Sequence, residues 1–190
     1  MAIKSENQVY ADIIGFVNNT LIILAEWFPS FNFKEWQVLQ LNQPVKLTEI
    51  EPTIWVSCTT KNRRGWQFRN YEGYNPNEEF KQANKFKQEI QVQFSALRSR
   101  LLSDTVSTLN SADVLEYLKS YMLNPLALKA LRELGYTIYQ PSEVQTPEFF
   151  NDSDNFEFMP FFTTTFIIEQ SLVRPQNKVD SIEYKLTKGI

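Results

Sequence analysis

A segment of strict two-residue alternation limits the fold of this chain more than any other feature. Ile90, Val92, Phe94 and Ala96 are apolar, whereas the residues between them are Gln or Ser. Because successive side chains of a β-strand point to opposite faces of a sheet, the pattern predicts a strand with one buried face and one polar face. A sheet of this kind needs a second layer on its apolar side, which the chain must supply elsewhere.

A helical stripe near the N-terminus is the first candidate for that layer. Apolar residues recur at three- and four-residue steps from position 10 to position 28, which predicts a helix over residues 6–28 that Pro29 ends. Ile22, Ile23 and Trp27 lie outside this stripe, so the C-terminal half of the helix is apolar over most of its circumference. We expect this half to contact more than the parent sheet, and a neighbouring subunit is a candidate for that contact.

Further strands are predicted where Val, Ile, Trp and Thr cluster between prolines, at residues 36–41 and 53–59. Residues 60–65 are polar and typical of a turn, which makes residues 66–70 the returning strand of a hairpin. Residues 71–85 contain Gly, Pro and several charges without a sustained period. We expect a loop or an extended arm there.

Two short helices are predicted in the second half of the chain. Asn110 with Asp113 resembles a helix N-cap with an acidic third residue. Asn124 followed by Pro125 marks a second helix start, and Gly135 stands where the left-handed residue after a helix end is expected. The chain therefore continues from the strands into two successive helices.

The element order indicates an α+β fold. The remaining elements are a strand, an acidic loop and a long strand, at residues 136–139, 141–155 and 158–172. The order α-β-β-β-β-α-α-β-β predicts a mainly antiparallel or mixed β-sheet with the N-terminal helix and the central helical pair packed on it. We expect one domain over residues 1–172, with an extended loop or arm near 60–87, and a C-terminal extension at 173–190.

The absence of histidine among 190 residues excludes most familiar catalytic sites. Ser-His-Asp and Cys-His catalysis and histidine-containing zinc sites are not available. Cys58 is the only cysteine, so no disulfide forms within the chain, and its apolar strand makes it a core residue. The five glycines form no phosphate-binding loop, and Asp152 with Asp154 lacks the other ligands of a Ca²⁺ loop. We therefore expect no enzyme activity, no cofactor and no metal.

No secretion signal or membrane span is predicted. Residues 1–7 lack the basic, apolar and small-residue regions of a signal peptide. The most apolar stretch, residues 13–28, contains Asn18, Asn19 and Glu26 and falls short of the ~20 apolar residues of a membrane span. These features predict an intracellular protein without a membrane partner.

Charge is separated along the chain, although the net charge is only −3. Residues 61–100 carry nine Lys or Arg against four Glu, whereas residues 141–170 carry six acidic residues and no Lys or Arg. One interpretation is that both segments are solvated surfaces. The other is attraction between copies of the chain, because a positive and a negative patch at different places suit a head-to-tail contact that repeats into a ring.

Arginines and aromatic residues are interleaved in the positive segment. This mixture occurs both at protein interfaces and on surfaces that bind nucleic acid. We favour a protein interface, and a nucleic-acid-binding accessory protein that uses residues 63–74 is the alternative. The candidate interface residues in the positive and acidic segments are Arg63, Arg64, Trp66, Arg69, Tyr71, Tyr74, Glu148, Asp152, Asp154 and Glu157.

Five segments follow one another in a distinctive order: an N-terminal helix, then residues 52–57, 87–94, 111–118 and 161–168. In this order of a helix, two strands, a helix and a closing strand, the chain resembles the neck or tail terminator proteins of tailed bacteriophages. These are small α/β subunits that form a ring at the head-proximal end of the tail tube. Such proteins often carry an arginine just before the closing strand, but residues 155–160 contain none. No contact of that arginine is therefore carried over.

The resemblance implies a structural virion protein without catalysis, a homohexameric ring that closes the tail tube and joins it to the neck or head connector. The implied partners are further copies of the chain, the tail-tube protein and neck or connector proteins, with the sheath protein as a further candidate. DNA would pass through the lumen without sequence readout. The implied location is the virion tail or neck, and the host cytoplasm during assembly. Another head–tail adaptor or connector protein is the alternative within this class.

Overall fold

The computed structural model describes residues 4–41, 52–72, 80–98, 108–150 and 156–176. These ranges contain three α-helices, one 3-10 turn (Phe33–Glu35) and seven β-strands. The helices are α1 (Glu6–Trp27), α2 (Ser111–Met122) and α3 (Pro125–Glu133). The strands are β1 (Gln37–Gln40), β2 (Thr53–Glu72), β3 (Phe80–Leu97), β4 (Tyr136–Ile138), β5 (Glu148–Phe150), β6 (Phe156–Phe158) and β7 (Phe161–Gln176).

The first helix begins at a capping box. The Ser5 side chain accepts a hydrogen bond from the Gln8 amide at 3.3 Å, and the Gln8 side chain accepts one from the Ser5 amide at 2.8 Å. These bonds satisfy two donors that a helix start leaves free. α1 ends at Trp27, two residues before Pro29, so the helix predicted over residues 6–28 is confirmed to within one residue.

By length and composition alone, α1 could cross a membrane, since it has 22 residues and its most apolar window has a mean hydropathy of 1.3. The core helix of a soluble protein meets the same criteria. Half of that window is buried inside the structure. This packing accounts for the apolar composition of the helix.

The two later helices carry the caps that the sequence predicts. The Asn110 side chain accepts a hydrogen bond from the Asp113 amide at 2.8 Å, and the Asn124 side chain accepts one from the Leu126 amide at 2.9 Å. Gly135 follows α3 with φ of 85°, a conformation that costs glycine little because it has no Cβ. The predicted helix starts and the left-handed residue are confirmed.

A polar cluster holds the start of α1 against the end of α3. The Lys4 ammonium lies 2.5 Å from the Asp12 carboxylate and donates to the Leu134 carbonyl at 2.6 Å. It also lies 4.3 Å from the centre of the Tyr136 ring. The Tyr136 hydroxyl donates to Asp12 at 2.9 Å, and burial together with this bond raises the pKa of Tyr136. A cation on the last carbonyls of a helix stabilises its end.

The sheet is mixed, which confirms the predicted α+β class. Its strand order is β1-β2-β3-β7-β4, and β5 pairs with β6 in a separate two-stranded sheet. β1 runs parallel to β2, and the other neighbours in the main sheet are antiparallel. β7, which is far from β3 in the sequence, thus lies between β3 and β4 in the sheet.

The buried face of the sheet is the one that the alternation predicts. Ile90, Val92, Phe94 and Ala96 are all buried, and the Phe94 ring stacks on Phe162 of β7 with centroids 5.0 Å apart. α1 and α2 join this core through Ile13, Val17, Leu21, Val114, Leu115 and Leu118. The helices therefore form the second layer that the alternating strand requires.

Two predictions for residues 60–70 are wrong. Residues 60–65 do not form a turn, because β2 runs without a break from Thr53 to Glu72 and stays paired with β3. Residues 66–70 therefore continue this strand and do not return. Residues 71–72 and 80–85, predicted as a loop or an extended arm, are also strand, and residues 73–79 lie outside the described ranges. Register shifts in β2 accommodate the glycine and polar residues that are typical of a turn.

The acidic loop predicted at residues 141–155 contains an additional strand. β5 lies within it and pairs antiparallel with β6. Strands of three residues are too short to show a period in the sequence. The long strand predicted at 158–172 is β7, which begins three residues later and ends four residues later.

Candidate assembly interface

The three central strands continue well past the part of the sheet that contributes to the core. Towards the end of the sheet away from the core, the last buried residues whose exposure is described are Ile90 on β3 and Ile168 on β7. Just beyond them, the exposed side chains of Lys87 and Glu169 form a salt bridge at 3.0 Å. Pairing of β3 with β7 nevertheless continues to Phe80 and Gln176. We refer to residues 61–72, 80–88 and 169–176 together as the arm.

The arm is long and carries an excess of positive charge. Nine residues of β3 belong to it, which corresponds to roughly 30 Å of extended strand. Eight arm residues are Lys or Arg, and two are Glu. The positive segment seen in the sequence is thus carried largely by one three-stranded structure.

The two sides of the arm differ in regularity. The pairing of β2 with β3 shifts register between Thr60 and Asn62 and again between Arg64 and Phe68. In contrast, β3 pairs with β7 residue by residue from Phe80 to Ser95. Bulges bend a strand and increase its local twist. The β2 side is therefore the side on which the arm can curve most.

Most of the predicted interface residues in the positive segment lie on one strand of the arm. Arg63 pairs with Gln88 and Arg64 pairs with Lys87, while Trp66 lies in the second register shift. The predicted residues on β2 are Arg63, Arg64, Trp66, Arg69 and Tyr71. Tyr74 lies outside the described residues.

The predicted acidic residues are not on the arm. Glu148 lies on β5 and Glu157 on β6, in the separate two-stranded sheet. Asp152 and Asp154 lie outside the described residues. The structure thus brings the predicted positive residues together on β2 and places the two described acidic ones on a different sheet.

Part of the acidic segment is paired inside the chain. Glu169 pairs with Lys87, and Glu143 accepts a hydrogen bond from Lys119 at 2.9 Å. Lys119 also lies 2.8 Å from Glu116, and the bonds to Glu116 and Glu143 raise the pKa of Lys119. Two of the six acidic residues in segment 141–170 therefore already have cationic partners, which leaves less negative charge for attraction between copies.

The outer edge of β2 is covered over the core by other parts of the chain. β1 pairs with the first four residues of β2, and the Leu41 amide donates to the Val56 carbonyl at 2.9 Å. Next, the Tyr10 hydroxyl takes the place of a strand: it accepts from the Cys58 amide at 2.9 Å and donates to the Cys58 carbonyl at 3.4 Å. In the described part of the chain, no strand pairs with this edge over residues 59–72.

The outer edge of β7 follows the same plan. β4 pairs with its residues 166–168. The amides of Tyr139, Ser142 and Gln145 then donate to the carbonyls of Thr165, Thr163 and Phe161. Over residues 169–176 this edge has no paired strand among the residues that the structure describes. Both edges are thus covered over the core, and both lack a described neighbour over the arm.

Cys58 is poorly suited to nucleophilic chemistry. It packs against the core, and burial raises the pKa of its thiol to about 12. Since the thiolate is the reactive form, the thiol is almost entirely unreactive near neutral pH. Within the described ranges, no three His, Cys, Asp or Glu side chains are grouped so that they could hold a metal ion.

A second candidate surface lies on the outside of the helical layer. Four large apolar side chains there are between 47% and 59% exposed, namely Ile22, Trp27, Leu123 and Leu126. We refer to these four residues as the helical patch. Exposed apolar clusters commonly mark surfaces that contact other proteins.

Two contacts show how the three helices lie relative to one another. Trp27 at the end of α1 contacts the Tyr121 ring near the end of α2, with centroids 5.5 Å apart. Lys4 at the start of α1 bonds Leu134 after α3. α3 therefore runs back along α1, and the α2–α3 junction, with Leu123 and Leu126 close to it, lies near the C-terminal end of α1.

The sequence predicted part of this surface. Of the three apolar residues outside the stripe of α1, Ile22 and Trp27 are exposed, whereas Ile23 is partly buried and packs against the core. The sequence analysis does not include Leu123 and Leu126 in a contact surface. The signal for them in the sequence is the apolar residue on each side of the Asn124-Pro125 helix start.

Comparison with known families gives one match. A family model described as E217 gateway protein gp29 matches residues 9–175. The matched range begins in α1 and ends at the penultimate residue of β7, so it includes the helical patch and all of the arm except Gln176. No curated protein matches the sequence.

Proposed function

The chain belongs to the E217 gateway protein gp29 family, and from this premise we propose that it is a tail terminator at the junction of a phage head and tail. Membership of the family makes it a phage structural protein of the head–tail connector class. The specific role that we propose within this class is a ring that closes the tail tube and presents a docking surface to the neck. The observation that carries this proposal is the arm, a three-stranded extension with two strand edges that no described strand covers.

Two surfaces on different parts of the subunit support a ring with neighbours on more than one side. The arm offers strand edges and positive charge, and the helical patch offers apolar area. A ring subunit needs a contact to each neighbour and a further contact to the tube or to the connector. We propose a homohexamer whose partners are the tail-tube protein, neck proteins and the DNA in its lumen, with the sheath protein as a further candidate. Its role is contact and not catalysis.

The proposal is tested by adding the purified chain to polymerising tail-tube protein. We expect rings bound at one end of the tubes in electron micrographs, and shorter tubes than without the chain. A variant with Lys81→Glu and Lys85→Glu in the arm should lose end binding. The matched control is Lys129→Glu on α3, whose side chain is 77% exposed.

Two outcomes of this experiment would contradict the terminator role. Tubes of unchanged length without bound rings would do so directly. Binding to portal or adaptor proteins without binding to tubes would instead assign the chain to a different head–tail adaptor.

A second candidate function is favoured by the positive charge of the arm. Eight Lys or Arg residues against two Glu suit the neutralisation of nucleic-acid phosphates. As a nucleic-acid-binding accessory protein, the chain would bind DNA with a steep salt dependence, weakened by Arg63→Ala with Arg64→Ala. Absence of binding at low salt would remove this candidate.

A further inference from the structure

We infer that the arms of neighbouring copies pair edge to edge, β2 of one copy with β7 of the next, and close into one continuous β-barrel. This inference rests on the proposed ring and deepens it, because it names the surfaces through which copies meet. The occupant of each open edge is a second copy of this chain.

The two arm edges are exceptional within the described sheet. Over the core, the chain covers each edge by its own means: β1 and the Tyr10 hydroxyl on one side, β4 and three amides on the other. Long uncovered strand edges promote uncontrolled association, and proteins normally protect them. Among the described residues, the chain covers both edges over the core and neither over the arm, which makes the arm edges available to a partner.

Strand directions make a second copy a suitable partner. β2 and β7 are each antiparallel to β3, so they run parallel to one another on opposite sides of the arm. Rotation about a common axis then brings β7 of one copy beside β2 of the next in a parallel pairing. Repetition of this step around a closed ring pairs both edges of every copy and leaves none open.

A two-fold dimer would not achieve this result. Two copies joined across a two-fold axis at one edge would pair like strands, β2 with β2 or β7 with β7, and would leave the other edge of each copy unpaired. A ring is the closed arrangement that uses the two different edges in every copy.

The irregular pairing in the arm suits closure. A sheet that closes on itself must tilt and curve, and bulges are the usual means of bending a strand. Both register shifts, at Thr60/Asn62 and Arg64/Phe68, lie on β2, which is one of the two strands that would form the contact. The curvature is thus available where neighbouring arms join.

Charge gives the inferred barrel a distinctive salt dependence. Each arm carries eight Lys or Arg against two Glu, so joining arms concentrates positive charge. Added salt screens this repulsion and should promote assembly. The sequence also suggested attraction between the positive segment of one copy and the acidic segment of another. That contact would weaken with added salt, so it predicts less assembly at high salt.

Cross-linking of two variants, each with one cysteine introduced in addition to Cys58, tests the inference. Asn70 and Val173 lie at the same level on the two outer strands, since both pair with Ala83 of β3. Asn70→Cys and Val173→Cys are co-produced with different tags and treated with a short bismaleimide after assembly. Because each chain carries one introduced cysteine, a cross-link between them must join two copies. Cys58 is present in every variant and is partly buried, so the wild type serves as the background control.

We expect cross-links between the two variants and none above background in either variant alone. We also expect a larger assembled fraction at high salt in sedimentation. A matched control replaces Val173→Cys by Lys129→Cys on α3, which should not cross-link to Asn70→Cys.

Four results would overturn the inference. Cross-links in Asn70→Cys alone would show β2-to-β2 dimers. A protein that stays monomeric at every salt concentration, or a ring without arm cross-links, would show that copies do not meet through these edges. Cross-links that appear only after removal of residues 177–190 would show that the chain's own C-terminal residues occupy an edge. A ring without arm cross-links that still binds tube ends would leave the proposed function intact, so the two failures are distinguishable.

Discussion

The strands β2, β3 and β7 differ greatly between their core part and their arm part. In the core, alternate residues of β3 are buried, the aromatic rings of Phe94 and Phe162 stack, and both sheet edges are covered by the same chain. In the arm, β2 pairs irregularly, positive charge accumulates, and no described strand lies on either edge. Over the core, both edges are covered within a single copy, whereas over the arm neither edge has a strand neighbour among the residues that the structure describes.

The largest effect is expected where the core is most tightly packed. Phe162→Ala removes a fully buried ring from its stack on Phe94 and should lower the free energy of unfolding by about 3–5 kcal/mol. Urea unfolding followed by circular dichroism measures the change. Phe161→Ala, at the adjacent and only half-buried position, is the control and should cost much less. Equal losses would show that the two sheet faces are packed alike, contrary to the comparison.

The tie between α1 and α3 should have the next largest effect. Asp12→Ala leaves the Lys4 ammonium and the Tyr136 hydroxyl without their shared acceptor, and we expect a loss of about 1–3 kcal/mol in the same unfolding experiment. Glu133→Ala removes an exposed ion pair with Lys129 at 4.0 Å and should change stability by less than about 0.5 kcal/mol. If Asp12→Ala also changed the free energy of unfolding by less than about 0.5 kcal/mol, the polar cluster would not hold α1 against the end of α3.

A smaller effect is expected where the edge of β2 passes from the covered to the open part. Tyr10→Phe removes the hydroxyl that bonds both the amide and the carbonyl of Cys58, at a cost of about 1 kcal/mol. Hydrogen exchange at the Cys58 amide should become faster, while the amides that cover β7 should exchange as before. Tyr139→Phe, at a 56% exposed position, is the control. Unchanged exchange at Cys58 would mean that the hydroxyl does not protect the edge.

The smallest effect is expected at the start of the arm. The side chains of Lys87 and Glu169 are 64% and 73% exposed, so Glu169→Gln should alter stability by no more than about 0.5 kcal/mol. Thermal unfolding at low and high salt measures this difference. If Glu169→Gln lowered the free energy of unfolding as much as Asp12→Ala does, the ion pair at the start of the arm would contribute to stability as much as an interaction in the core.

The sequence predicts best the features that depend on neighbouring residues. The caps at Asn110 and Asn124, the left-handed Gly135 and the alternation from Ile90 to Ala96 are each set by a few consecutive side chains. All of them are confirmed. Local hydrogen bonds and the two-residue period of a strand do not depend on what lies far away in the chain.

Features that depend on distant partners were predicted less well. Residues 60–65 have the composition of a turn, yet pairing with β3 holds them in a strand through bulges. The extent of the arm depends on β7, whose register with β3 no local pattern reveals. Likewise, exposure of Leu123 and Leu126 depends on how α2 and α3 lie along α1. The residues proposed as interface from their charge and aromatic character stay a prediction.

The position of β7 in the chain also affects when the sheet can form during synthesis. Phe94 pairs with Phe162, so 68 positions separate two residues in contact at the centre of the sheet. A ribosome that adds about 5–20 residues per second needs roughly 3–14 seconds to cover that interval. Until then β3 has only one neighbour, and neither the core nor the outer edge of β7 exists. Nascent chains therefore cannot join through that edge before each subunit has been nearly finished, which separates folding from assembly in time.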